Sequence, residues 1–558
     1  MRRSDTGDLW WKNAVFYCAD VETFYAWNGD GCGDIRGMTE RIEYLFDLGV
    51  TCLWLMPFYP TARRDDGYDI TDFFGVDPRL GTHGDFVELV RTAKATGIRV
   101  IIDFVMNHTS DGHPWFKSAR RSTDDPYRDY YVWSATKPKS SRKDVVFPDE
   151  EDSLWELDTR TDEWYLHHFY KHQPDLNVAN PKVQEEISRT LGFWLELGVS
   201  GFRVDAVPFL FAKDAAPGDP SVFDPNRYLG DVRNFVTRRL GDAVLLGEVN
   251  LPYKDQLTFF GGPDGDGLNM QFDFIGMQAM YLSFARGDAG PIAKALRQRP
   301  ALDLTSQWAN FVRNHDELTL DKLKDDERRE VSTPSAPRQT CSSMGADCAD
   351  GSPPCSAATS GVCGWPTRSP SPCQGLRSSS TARRSGWPKT SASRTTRRTH
   401  AHAVDRGRQR RLFKGPKAEA DPSLPDGLYG PERVNAADQR HDHQSFWWFM
   451  RNLIYTYRQQ PEIGWSTAEV LEQPNPGVLA HVCREKSGWA MVALHNFGAD
   501  SSIVPIQLQG VPSGCILVDL LGGLTEHNLD SEGRIDVDLD GYGYRWLRLR
   551  RPEDEPII

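Results

Sequence analysis

One hexapeptide limits what this chain can become more than any other stretch: Gly201–Ala206, GFRVDA. Arg203 and Asp205 lie inside an apolar run that reads as a buried strand, and burying a charge is costly unless it is paired. Two readings follow. One is a structural ion pair at a strand end. The other is a carboxylate nucleophile oriented by an arginine at the C-terminal mouth of a barrel strand. Further acids and a histidine arriving on other strands would decide for the second.

Three other runs supply them. Ala243–Val249 (AVLLGEV) is apolar and ends in Glu248. Trp308–Asp316 (WANFVRNHD) ends in His315 and Asp316, and Arg99–His108 (RVIIDFVMNH) carries Asp103, Asn107 and His108. Helical periodicity separates these runs, most clearly over Pro181–Gly198. Four apolar runs in order, each ending in a polar cluster, form a specific pattern. On these residues the chain resembles the alpha-amylase family of glycoside hydrolases and transglycosylases over about residues 10–330 and 430–550.

The resemblance implies an α/β fold: a (β/α)8 TIM barrel over 10–108 and 181–463, an inserted subdomain over 109–180 after strand 3, and a C-terminal antiparallel β-sandwich over 464–558. A length of 558 residues agrees with several cores rather than one. The resemblance also implies roles. Asp205 is the nucleophile, Glu248 the general acid, and Asp316 a third acid that accepts hydrogen bonds from sugar hydroxyls. Arg203 orients Asp205, with Asp103 as its structural partner. His108 and His315 support the transition state. In the loop Arg64–Asp69 (RDDGYD), Tyr68 stacks on a glucose ring and Asp65 reaches its hydroxyls, although a plain Asp-Gly turn explains the acids equally well. Retaining chemistry needs two carboxyls about 5 Å apart. One must stay ionised and the other must be held protonated by burial and nearby negative charge.

Two calcium positions are implied. Asn28–Asp34 (NGDGCGD) alternates oxygen ligands with glycines, offering Asn28, Asp30 and Asp34. The acid that metal-binding relatives carry two positions before Asn28 is here Ala26, so a glycine-rich turn held by Asx hydrogen bonds is an equal alternative. Asn107 and Asp175, from the QPDLN stretch Gln173–Asn177, would hold a second ion between insert and barrel. No organic cofactor is implied.

Composition excludes some partners. A net charge of −13 argues against nucleic acid. No apolar stretch is long enough to span a bilayer, and Met1–Lys12 lacks the apolar core of a signal peptide, so a cytoplasmic enzyme with reduced thiols is expected. Five of the ten cysteines (Cys341, Cys348, Cys355, Cys363 and Cys373) crowd one segment at spacings that fit no zinc template.

That segment, about 332–428, is rich in Ser, Arg, Pro and Cys and has no apolar period, which reads as low complexity. Yet the family needs its eighth strand there. Synonymous codons for Cys373–Trp387 (CQGLRSSSTARRSGW), read one base earlier, permit LPGTPVLFYGEEIGM, the family's eighth-strand motif. The segment is therefore expected to be out of frame, through sequencing error or a real lesion. The barrel would then lack strand eight and leave unpaired edges on its first and seventh strands.

Within the family, Arg64–Asp69, Phe311–Leu320 and the recovered frame are most similar to the trehalose synthase branch, whose members interconvert maltose and trehalose. An alpha-glucosidase or amylase-type hydrolase is the alternative. An inactive product of a damaged gene is another, and a non-catalytic, transporter-associated relative is a third. The retained acids and the lack of an anchor speak against the last. The sequence says nothing of oligomeric state.

Overall fold

The structure, a computed structural model, describes residues 7–139, 144–148, 150–211, 223–261, 265–316, 318–332, 357–359, 435–485 and 488–554. Seven parallel strands follow one another around a curled sheet: β1 (Val15–Ala19), β2 (Cys52–Leu55), β3 (Arg99–Phe104), β7 (Gly201–Val204), β8 (Val244–Gly247), β9 (Met270–Phe272) and β10 (Gln307–Ala309). Helices fill the crossovers, among them His83–Ala95, Pro181–Glu196, Pro225–Arg239 and Phe274–Arg286. Parallel strands need such crossovers, and being covered on both faces they are apolar throughout. The helix Pro181–Glu196 starts at the Asn180 cap with proline in its first turn. It turns Val183, Ile187, Leu191 and Trp194 inward at a helical spacing.

Register explains where the polar residues fall. Cys18 pairs with Trp54, Trp54 with Ile101, Asp103 with Arg203, and Arg203 with Leu246. Side chains in register on neighbouring parallel strands share a face, and so do residues two apart on one strand. Cys18, Trp54, Asp103, Arg203 and Asp205 therefore share the face occupied by Leu246, with Glu248 two residues further along. Gly201 has φ 149°, and a Cβ there would meet the Val244 carbonyl oxygen at 2.1 Å, so only glycine lets β7 approach β8.

At the other edge of this sheet, β1 pairs antiparallel with β11 (Ala357–Thr359). The expectation of an unpaired first strand is thus not met, although β10 ends the sheet among the described residues. Apart from Ser332 and Ala357–Thr359, the expectation for 332–428 lies outside the described residues. Three short strands, β4 (Trp133–Ser134), β5 (Trp155–Asp158) and β6 (Glu163–Leu166), form a small sheet inside the insert. Two antiparallel sheets follow at the C-terminal end. Six strands run in the order β12 (Ala468–Leu471), β13 (Val478–Arg484), β14 (Ala490–Asn496), β19 (Tyr544–Arg550), β16 (Ile516–Asp519) and β17 (Glu526–Asn528); β15 (Ser502–Gln507) pairs with β18 (Arg534–Leu539). Their facing sides enclose a separate core that includes Val482, Val492, Leu517, Val537 and Leu547. No helix among the described residues is long and apolar enough to cross a membrane.

Candidate active site

Arg203 is the centre of a polar cluster at the C-terminal ends of the parallel strands. Its side chain is 1% exposed. Nη1 lies 2.5 Å from Asp103 Oδ1 and 2.6 Å from Asp205 Oδ1, and Nη2 lies 2.7 Å from Glu248 Oε2. One guanidinium therefore bridges three carboxylates from three neighbouring strands. Burial alone would pull the Arg203 pKa down, but Asp103, Glu248, Tyr68 and Asp205 more than offset it and hold it well above the usual arginine value.

The three acids differ in what surrounds them. Asp103 is fully buried beneath Arg203, and burial pushes its pKa up to about 6 against the opposing pull of Arg203 and of the Trp54 indole. Glu248 keeps 22% of its side chain open. Burial of its carboxyl pushes the pKa up to about 7; Arg203 opposes this, while Asp205 and Asp316 add to it. The chain turns sharply between the two: Ala206 takes a left-handed φ of 50°, which aims its N–H at Glu248 Oε2 across 3.3 Å. A non-glycine residue held in that region directly after Asp205 is the kind of local strain found at working sites.

His315 and Asp316 approach from the loop after β10. His315 Nε2 lies 2.8 Å from the Tyr68 hydroxyl and 3.5 Å from Asp316 Oδ1, and Asn314 Nδ2 donates to Asp316 Oδ2 at 3.1 Å. The Tyr68 and His315 rings stack, with centroids 5.7 Å apart. The Tyr68 hydroxyl also accepts from Arg203 Nη1 at 3.3 Å. Tyr68 is thereby tied to the cluster by its hydroxyl. Asp65 is fixed by Gln173, whose Nε2 donates to Oδ2 at 2.8 Å. His108 is buried, and its Nε2 meets no hydrogen-bond partner among the described residues. Burial holds its pKa below the usual histidine value, against Asp175 and Asp65.

The structure thus brings together Asp205, Glu248, Asp316, Arg203, Tyr68 and His315 in one linked set, and places Asp65 and His108 on the wall that the insert builds beside it. The main-chain bridge His108–Asp175 ties that wall to the segment after β3, and Tyr131–Leu176 joins two parts of the insert itself. Three members were not singled out from the sequence: Gln173 as the holder of Asp65, His168 as the partner of Asp175, and Trp54, whose indole N–H donates to Asp103 Oδ2 at 2.7 Å.

The expected calcium ligands are otherwise occupied. Asn28 Oδ1 accepts from Asp30 N, and Asp30 Oδ1 from Cys32 N, as Asx turns do. Asn28 Nδ2 donates to Asp30 Oδ2 at 3.0 Å. Asp34 caps the helix Ile35–Glu40 through Gly37 N and accepts from Trp27 N. Both oxygens of Asp175 meet His168, one at its backbone N–H and one at Nδ1, while Asn107 Nδ2 lies 3.4 Å from His108 Nδ1. Among the described residues, no group of three or more His, Cys, Asp or Glu is placed to hold a metal ion. These donor sets do not fit a hard cation that asks for six to eight oxygens.

Residues 21–342 match the family described as alpha amylase, catalytic domain, and residues 488–548 match the sucrose hydrolase-like C-terminal domain. A trehalose synthase/amylase of Mycolicibacterium smegmatis is 45% identical over 329 residues, covering 59% of this chain and 55% of that protein. The chain spans about half the length of the first curated relatives it matches. A trehalose synthase of Pimelobacter sp. is 34% identical across 98% of this chain and 96% of its own length. Among solved structures, a substituted trehalulose synthase in complex with the substrate sucrose superposes with a TM-score of 0.69 at 26% identity, covering 97% of this chain and 99% of that one.

Proposed function

The chain belongs to the alpha-amylase family of glycosidases and transglycosylases, and from that premise we propose that it transfers an α-glucosyl unit with retention through a covalent glucosyl–Asp205 intermediate. The bridging of Asp205 and Glu248 by Arg203 is the observation that supports this most. One carboxyl on that arginine is held as the attacking anion. The other, pushed up to about 7, still carries a proton near neutral pH for the leaving oxygen. Asp205 Oδ attacks the anomeric carbon as the glycosidic C–O bond breaks, and Glu248 gives its proton to the departing oxygen. Glu248, now a carboxylate, then takes a proton from the incoming hydroxyl as that hydroxyl displaces Asp205. Asp316 and Asp65 accept from hydroxyls of the bound ring, and the open Nε2 of His108 serves a further one.

The favoured outcome is interconversion of maltose and trehalose, in which the released sugar itself returns as the acceptor. The named relatives support it: two are trehalose synthases or trehalose synthase/amylases, and the structural neighbour is a trehalulose synthase with sucrose as its substrate. Hydrolysis, with water as the acceptor, is the second reading, supported by the word amylase in the M. smegmatis protein's description. The full activity also calls for an eighth barrel strand, and a displaced frame over 332–428 and a cytoplasmic location belong to this same proposal. Resequencing the gene tests the first of these.

The experiment incubates the full chain with maltose and follows trehalose and glucose. Trehalose as the main product supports the isomerase reading; glucose alone supports the hydrolase. Asp205→Ala should lose on the order of 10⁴-fold or more in turnover, and wild-type turnover in that variant would sink the mechanism.

A further inference from the structure

Asp103 cannot touch a sugar. It is fully buried, with Arg203 lying between it and Asp205. Its worth to the site lies in how it holds Arg203, and that depends on its own charge. Oδ1 faces the guanidinium N–H. Oδ2 faces the indole N–H of Trp54 at 2.7 Å, with the Tyr68 hydroxyl further off at 3.4 Å. An indole can only donate. A proton on Oδ1 would point at the Arg203 N–H, and a proton on Oδ2 would point at Trp54. On Oδ1 the proton opposes the Arg203 donor; on Oδ2 it opposes the Trp54 donor and has only the more distant Tyr68 hydroxyl to turn to, so protonation weakens a buried hydrogen bond either way.

Trp54 does more than donate. Arg203 lies over its ring at 5.2 Å, and the His315 ring meets its face edge-on at 5.5 Å. Phe272 backs it at 5.6 Å, so the indole has no room to swing away. The register that pairs Trp54 with Ile101, two residues before Asp103, fixes this geometry in the backbone. Tyr59 adds a donor to the Asp103 carbonyl oxygen at 2.7 Å, which pins the main chain at the same point.

We propose, resting on the reading of this cluster as the reacting centre, that Trp54 is a positioning residue that keeps Asp103 a carboxylate and so holds Arg203 in place against Asp205 and Glu248. The charged and titratable groups that face Asp103 are Arg203 on β7 and Asp205 just after it, Glu248 after β8, Tyr59 and Tyr68 after β2 and Cys18 on β1, with His315 and Asp316 across the cluster. Trp54 and Tyr68 are the neutral hydrogen-bonding neighbours of that carboxylate; Trp54 is the nearer, and unlike the hydroxyl it can only donate. Replacing Trp54 with phenylalanine keeps an aromatic ring in the site but removes the proton donor together with the pyrrole half of the indole, so the pH dependence of the loss, not its size, separates the hydrogen bond from packing.

The test uses the full chain and a cationic glucose-shaped probe, 1-deoxynojirimycin, with binding measured by calorimetry from pH 5.5 to 8.5 alongside maltose turnover. In Trp54→Phe, Asp103 should take up a proton at a higher pH than in wild type. With Asp103 near 6 in wild type and about one pKa unit higher in the variant, probe affinity and kcat/KM should therefore fall about fivefold near pH 6 and recover to within about threefold at pH 8.5. Asp103→Asn should bind weakly at every pH, and adding Trp54→Phe to it should cost nothing more. A loss of equal size at every pH, no loss at all, or losses that multiply in the double variant would overturn the assignment, because packing alone would produce them. If Trp54→Phe does not fold, Asp103→Asn decides: an acid limb unchanged from wild type overturns the proposal, and a flattened one supports it. A wild-type chain that ignores the probe sinks the reading of the site itself.

Discussion

Two buried arginines, one in the parallel sheet and one in the C-terminal sheet, meet carboxylates in opposite ways. Arg203 faces three acids at 2.5, 2.6 and 2.7 Å. Arg548, on β19, faces one: its Nε lies 3.0 Å from Glu462 Oε1, and its guanidinium packs over the Trp489 ring at 4.4 Å. Both arginines are nearly sealed from solvent. The C-terminal pair is charge-balanced, and it fastens the helix Pro461–Trp465 to the sheet. The barrel cluster carries more negative charge than one arginine can neutralise. Burial first, and that surplus in addition, favour a proton on Glu248, the acid whose side chain is the most exposed of the three. A balanced pair has no reason to move a proton at neutral pH; an overloaded one does. Burial pushes both Glu248 and Glu462 up; what the barrel cluster adds is further acids beside its arginine, and that addition separates the chemical site from the structural one.

The contrast breaks first at Arg548. Arg548→Met should strand Glu462 in the interior and cost about 3–5 kcal/mol of stability, read as a lowered midpoint in urea. Activity per folded molecule should stay at the wild-type level. Pairing it with Glu462→Leu should restore most of the loss, because a balanced pair can give way to apolar packing. Equal damage to turnover in Arg548→Met would mean that the two arginines are not so different.

Glu248 gives the smaller and opposite effect. Its folded pKa, about 7, lies above the ordinary glutamate value, so between the two the folded state binds more protons than the unfolded one. The cost of its buried charge is absent below the unfolded value and grows as pH rises through 7. Glu248→Gln, which never ionises, should therefore stabilise the chain by about 1–3 kcal/mol at pH 8 and by almost nothing at pH 4.5. Thermal melts at both values check this. A gain of the same size at both would mean that the carboxyl is not strained by burial. In the active chain the same ionisation should bring the alkaline limb of kcat close to pH 7 to 8, with Asp103, raised to about 6, on the acid side.

Much of this site was legible because barrel chemistry sits at strand ends, and strand ends are where apolar runs meet isolated polar residues. GFRVDA, AVLLGEV and the NHD after WANFVR announce themselves that way. What stayed hidden is long-range. Trp54 sits in VTCLWLMP, where any aromatic reads as core; only the register to β3 reveals what its N–H meets. Gln173 is visible as part of QPDLN, but its partner Asp65 is 108 residues away. The seventh strand is shorter than its apolar run suggests. It stops at Ala309, Asn310 turns to accept from Arg299 at 2.7 Å, and Phe311 packs on Phe272 and Phe274 instead of extending the ladder. Periodicity records burial, and burial does not say which hydrogen bond a residue makes.

The weakest expected effect concerns calcium, and it sharpens the same lesson about counting charges. Asn28, Asp30 and Asp34 look like ligands in the sequence, yet two carboxylates and an amide that already accept from loop and helix N–H groups have little left to gain from a cation. Ala26, buried where a further acid would be needed, removes the charge that would make dehydrating calcium worthwhile. Asp175 has likewise spent both oxygens on His168. A site of micromolar affinity would stabilise the fold by about 4 kcal/mol at 1 mM calcium. Here, dialysis against EDTA and return of 1 mM calcium should move the melting temperature by less than about 1 °C, because without a bound cation there is no linkage to the folded state. A shift of several degrees would show that ligands outside these residues complete a calcium site. The Asx turns would then be what that loop adopts only when empty.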